Sequence, residues 1–166
     1  SDFYKEWLHY LKTEFQKDFL CIGEYWRNEL EALLGYIGET EGMIQLFDVP
    51  LHFNFHEASH QGSSYDMRQI FDNTLVSVKP ELAVTFVDNH DTQPLQSLES
   101  WVEHWFKPHA YALILLRQQG LPCVFYTALY GANYTDAKGD ESGEHEIHIE
   151  PVDVLELLIQ LRSSVA

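Results

Sequence analysis

Four short, largely apolar runs punctuate the chain: FLCIG at 19–23, MIQLFDV at 43–49, AVTFV at 83–87 and CVFY at 123–126. A sheet with one wet face alternates apolar and polar residues, whereas a parallel sheet covered on both faces reads as nearly unbroken apolar stretches. These runs read as buried parallel strands. The segments between them carry the other period. Residues 2–16 set Phe3, Trp7, Tyr10, Leu11 and Phe15 at helical spacing. Asn28 caps a short helix to residue 34, halted near Gly35 and Gly38. Helices are expected at 51–60 and 66–71, and a long helical pattern over 97–119 is interrupted by Pro108 and stopped at Gly120 and Pro122. Residues 134–146, rich in Gly, Asp and Glu, read as the centre of a polar loop spanning about 132–150. Residues 151–161 form a closing amphipathic helix with Val154, Leu157, Leu158 and Leu161 on one side. The order is helix, then strand–helix four times, an α/β chain. Its 166 residues suit one domain. Four such units fit a small doubly wound sheet or half of an eight-stranded β/α barrel, and periodicity does not choose between them.

Charge narrows the function. Ten Lys and Arg stand against 26 Asp and Glu, a formal charge of −16. Nucleic-acid binding needs a basic face to displace phosphate counterions, and anionic membranes repel such a chain. The apolar run at 110–116 is far short of the roughly 20 residues that span a bilayer, and no run has the form of a secretory leader. Cys21 and Cys123 both sit in apolar stretches and read as two buried thiols rather than a disulfide framework. The expectation is an intracellular, cytoplasmic protein.

In both candidate folds functional groups lie just past the carboxyl ends of the strands. There the sequence places Glu24-Tyr25-Trp26, then Asp48, then Asp88-Asn89-His90-Asp91, and finally Tyr126 with Tyr130-Gly131. Carboxylates supply general acid and charge stabilisation, and flat rings stack on the apolar faces of pyranoses. Acids beside aromatics at a sheet mouth therefore suggest sugar chemistry, although 26 acidic residues place some there by chance.

A second motif points elsewhere. His56-Glu57-Ala58-Ser59-His60 fits H-E-x-x-H, in which two histidines one helical turn apart bind zinc and the glutamate activates water. His52 lies one turn upstream, and Glu81 or Asp72 would be the third ligand. With three fixed letters in a chain of nine histidines, a zinc protease is the remote alternative, and ordinary hydrogen-bonding histidines are the plainer one. The acidic tract at 136–150 lacks EF-hand spacing. Phosphate-cradling glycine motifs and G-x-S-x-G are absent.

These same residues carry a family resemblance. FVDNHDTQP at 86–94 resembles the segment after barrel strand seven of the alpha-amylase family, glycoside hydrolase family thirteen. IGEYW at 22–26 resembles the end of its strand five. The likeness continues through FDVPLHFNFHEAS, YDMR, LQSLES, WFKPHAYALILLRQQGLPCVFY and LYG, and is strongest to the bacterial liquefying and cytoplasmic types. It implies β/α units corresponding to strands five to eight of a TIM barrel, with residues 1–166 forming one partial catalytic domain. It also implies that Glu24 is the general acid/base and Asp91 the second carboxylate, with His90, Trp26, Tyr25 and Asn89 on the substrate, an α-1,4-glucan. The family's nucleophile is an aspartate at the end of strand four, before the first residue of this sequence. Most ligands of the calcium that the resemblance implies for the full-length family are likewise outside it, so no cofactor or metal is expected in this chain. Where relatives carry Asp after the strand-eight Phe-Tyr, this chain has Ala128, which implies one carboxylate fewer near the mouth. A non-catalytic half-barrel that binds glycan or assembles with a partner is the competing class. Either a missing amino-terminal half or self-association would complete it.

Overall fold

A computed structural model describes residues 2–136 and 143–164. Its central sheet joins β1 (Ile22–Gly23), β2 (Gln45–Phe47), β3 (Ala83–Phe86) and β4 (Leu121–Cys123), all parallel and in that order. The register pairs Ile22 with Gln45, Leu46 with Ala83, and Val84 with Leu121. The order is sequential, with none of the reversal that defines a doubly wound sheet. Right-handed crossovers in a sequential sheet keep the helices on one face. Accordingly α2 (Leu30–Glu39), α3 (Val49–Gln61), α4 (Leu75–Val78), α5 (Lys107–Leu115) and α7 (Leu155–Ser164) share one core with Leu46 and Ala83.

The opposite face of the sheet follows from the register. Strand side chains alternate, so Ile22, Gln45, Phe47, Val84, Phe86, Leu121 and Cys123 project together. This face, apolar but for Gln45, is partly open: Ile22 is 41% and Leu121 38% exposed. It explains one departure from the sequence expectation. Cys123 is exposed and Cys21 half-buried, because Cys123 sits on the open face of an edge strand.

Other expectations shift for local reasons. The helix expected at 51–60 begins earlier, at Val49, because Asp48 caps it through the Leu51 N–H at 3.2 Å and Pro50 sits in its first turn. Gly35 and Gly38 lie inside α2 instead of ending it, since Leu33 and Ile37 bury its face. The helix expected at 66–71 is a single 3-10 turn, Met67–Gln69. The long helical pattern at 97–119 shrinks to α5, whose first turn Pro108 opens rather than breaks. Upstream, the N–H groups of Leu98 and Ser100 bond to Asp91 and Thr92 carbonyls, which draws 97–106 back over the sheet end.

The polar loop expected around 132–150 is largely an antiparallel hairpin. Strands β5 (Ala132–Asp136) and β6 (His145–Ile149) flank residues outside the described set. Charge and glycine hid its alternation, in which Tyr134 and Ile147 pair on one face. The Tyr134 hydroxyl donates to the Pro94 carbonyl at 2.8 Å, pinning the hairpin against the loop after β3. At the other end α1 (Asp2–Phe15) is helical as expected, with Phe3 at 70% and Tyr10 at 59% exposure. Its aromatic stripe is left largely uncovered.

Candidate active site at the carboxyl end of the sheet

The acids singled out in the sequence converge at one end of the sheet. Gly23 closes β1 so tightly on β2 that a Cβ there would meet Ile44 Cγ2 at 2.9 Å. The next residue, Glu24, is exposed. It lines a cavity of about 190 Å³ with Phe47, Phe86, Asn89, His90 and Phe125. Tyr25 turns the other way and stacks on Tyr36 of α2 at 4.9 Å. Trp26 packs among His52, Phe53 and Phe86, with centroids 5.6–6.1 Å away. Ala128 lies in α6 (Tyr126–Tyr130) and is buried in the core.

The loop after β3 is built around its own side chains. The Asn89 amide oxygen accepts the N–H groups of Asp91 and Thr92, both at 2.9 Å, and Thr92 Oγ1 accepts the Asn89 N–H. This turn presents His90, whose side chain is 74% exposed, with Nε2 3.6 Å from Asp91 Oδ2. Glu24, Asn89 and His90 therefore meet at one cavity, and Asp91 is tied to it only through its neighbour His90.

Four buried polar residues hold this end together. Asp48 accepts three backbone N–H groups, from Leu51, Leu75 and Val76, so it caps α3 and α4 at once. Burial pushes its carboxyl up to about 6 against those bonds. Asp88 is ion-paired with Lys107 at 3.1 Å, both side chains almost fully buried. Burial pushes Asp88 up to about 6 and Lys107 down to about 8. His52 bridges the loop through Nδ1 to the Val87 carbonyl at 2.6 Å and Nε2 to Ser100 Oγ at 2.8 Å. The sequence offered Asp48 and Asp88 as acids following strands and His52 as a histidine one turn before the H-E-x-x-H pair, but neither their buried partners nor Lys107.

His52 makes a pH prediction. Burial holds its pKa down to about 4, against 6.5 for a free imidazole. Between those values the unfolded chain takes a proton that the folded chain refuses, so stability from this residue is lost as pH falls from 6.5 to 4. The loss is about 3 kcal/mol. Asp48 and Asp88 have raised pKa values and slope the other way, so a difference is the clean readout. Urea midpoints of wild type and His52→Phe, measured from pH 7 to 4, should converge as the pH drops. Parallel curves would show that His52 is not buried neutral.

The H-E-x-x-H residues have other occupations. His56 Nδ1 bonds the Trp101 carbonyl at 2.9 Å, and His60 Nδ1 bonds the His56 carbonyl at 2.8 Å. Glu57 accepts from the Gln61 amide, and His60 Nε2 faces Glu103 at 3.4 Å. Among the described residues no group of three His, Cys, Asp or Glu side chains is placed to hold a metal ion. No helix there is long and apolar enough to cross a membrane.

Comparison with known proteins decides the family. No family model matches the chain. However, over 164 residues it is 51% identical to the cytoplasmic alpha-amylase of Escherichia coli (strain K12), covering 99% of this chain and 33% of that protein. The chain belongs to the alpha-amylase family. It is also 50% identical over 142 residues to the alpha-amylase of Bacillus licheniformis, covering 86% of this chain and 27% of the relative. A third relative is the glucan 1,4-alpha-maltohexaosidase of Bacillus sp. (strain 707), 49% identical over 78% of this chain and 25% of its own length. The chain thus spans about a third or less of the length of the relatives it matches. Among solved structures, wild-type alpha-amylase I from Eisenia fetida aligns with 54% of this chain and 19% of its own, at TM-score 0.39 and 13% identity. That likeness is too loose to carry weight.

Proposed function

We propose that this chain forms strands five to eight of an alpha-amylase barrel and supplies two of its three catalytic carboxylates for hydrolysis of α-1,4-glucans. The observation that carries this reading is positional. Glu24 follows β1 and Asp91 follows β3, at the same end of a sequential parallel sheet whose open face is apolar but for Gln45. In a β/α barrel that end is the active-site mouth and that face is the packed interior. Glu24, exposed beside the cavity, would donate its proton to the glycosidic oxygen and then take one from water. Asp91 would remain ionised near the developing oxocarbenium ion. The retaining route also needs a nucleophile about 5–5.5 Å from the acid, supplied by the other half of the barrel. The name of the E. coli relative supports a cytoplasmic setting.

Complementation tests this. Co-expressed with the amino-terminal part of a full-length alpha-amylase, the chain should release reducing sugar from starch, and Glu24→Gln should abolish the release. Glycan binding that survives Glu24→Gln, without any turnover in the complemented wild type, would mark a binding module instead.

Self-association of the chain on its own is a second expected outcome. Strands β1 and β4 are open parallel edges, and unpaired edges recruit other strands. The sheet face bearing Ile22, Leu121 and Cys123 adds exposed apolar area. Pairing β4 of one copy with β1 of another continues the parallel order and closes both edges. Sedimentation at micromolar concentration should give a dimer or larger species. A well-folded monomer would count against it.

A further inference from the structure

The loop after β3 ends where Lys107 starts α5, and the buried Lys107 ammonium reaches back to touch it at Asp88 and at Trp101. Lys107 Nζ lies 3.1 Å from Asp88 Oδ2 and 2.9 Å above the centroid of the Trp101 ring. Asp88 Oδ1 in turn accepts the Val102 N–H at 3.1 Å. Start, middle and end of the segment are thereby drawn together, with Lys107 2% and Asp88 1% exposed at the side chain. Loops this long that lack secondary structure of their own are usually functional, and this one carries Asn89, His90 and Asp91. We propose that Lys107, acting through Asp88 and Trp101, is the positioning residue that holds the His90–Asp91 turn at the mouth of the site.

Two features favour a geometric role over simple stabilisation. A buried ion pair is a poor stabiliser beside an apolar pair of the same volume, so core packing alone would not select Lys107 and Asp88. The pair also hands its order on by direct contact. Asp88 adjoins Asn89, whose amide oxygen fixes the N–H groups of Asp91 and Thr92. Lys107 itself does not line the cavity that Glu24 and His90 share. The value of this placement for catalysis rests on the amylase reading above, but the placement is measurable without substrate.

The test is residue-resolved amide exchange and ¹H–¹⁵N spectra of the full chain at pH 7. In Lys107→Met the Asp91 and Thr92 amides should shift and exchange at least tenfold faster than in wild type. The Leu51 and Val76 amides, held by Asp48, should keep their rates. Lys107→Arg, which keeps the cation over Trp101, should restore most of the protection. Because Lys107→Met strands a buried carboxylate and could unfold the chain, the double variant Lys107→Met/Asp88→Asn, with no lone charge, is the second arm. It should fold and still lose protection at Asp91 and Thr92. Wild-type shifts and rates at these two amides in either folded variant would overturn the proposal. A complemented enzyme indifferent to Glu24→Gln would sink the amylase reading and leave this result standing.

Discussion

Replacing Asp48 by alanine should bring this chain to the edge of unfolding. The side chain is fully buried, and its two oxygens accept N–H groups at 3.2, 3.0 and 2.7 Å from two different helices. Alanine leaves three buried donors unpaired, each at a cost of about 1–3 kcal/mol. Part is returned because a carboxylate whose pKa burial raises to about 6 is itself costly to bury. The net loss should be about 3–5 kcal/mol, against a total of roughly 5–15 kcal/mol for a domain. Asp48→Asn keeps one acceptor oxygen and should lose about half as much. Urea denaturation at pH 7 reads both. An unchanged midpoint for Asp48→Ala would mean that the α3 and α4 termini find other partners.

Asp48 also marks the boundary of what the sequence disclosed. The sequence placed it as an acid following an apolar run, yet nothing in the letters told that α3 and, nearly thirty residues on, α4 both use its carboxylate. The first three apolar runs located β1, β2 and β3 because burial leaves few polar residues in them, but the fourth run, at 123–126, shares only Cys123 with β4, which starts at Leu121 and takes in Pro122. They overstated their length: the run at 19–23 yields only Ile22–Gly23, because an edge strand pairs on one side. The positions of Glu24 and Asp91 were legible as acids following strands. The buried pair behind them was not, since Lys107 sits in a helical pattern where a cation reads as surface. The hairpin at 132–149 was lost to its charge, which masked a period of two. The stretch at 97–106 failed for the opposite reason. Its helical spacing is real, but the N–H groups of Leu98, Ser100 and Val102 go to Asp91, Thr92 and Asp88, which leaves only isolated turns at Glu99 and Phe106.

The second large effect concerns catalysis by the chain alone. Two carboxylates do not make a retaining glycosidase unless one reaches the anomeric carbon, and the other acids at this end are committed. Asp48 is buried with its oxygens bonded to three N–H groups. Asp88 is buried and neutralised by Lys107. By the family resemblance Asp91 serves the sugar hydroxyls, and the nucleophile belongs to strand four. Removing one member of a cooperating catalytic set costs on the order of 10⁴-fold or more in rate. Release of reducing sugar from starch by the purified chain, measured beside its Glu24→Gln variant, is the direct test. Both should stay at the level of the protein-free control. Robust turnover by the wild-type chain, abolished by Glu24→Gln, would show that these 166 residues hold a complete active site and would contradict the assignment of the nucleophile to the other half of the barrel.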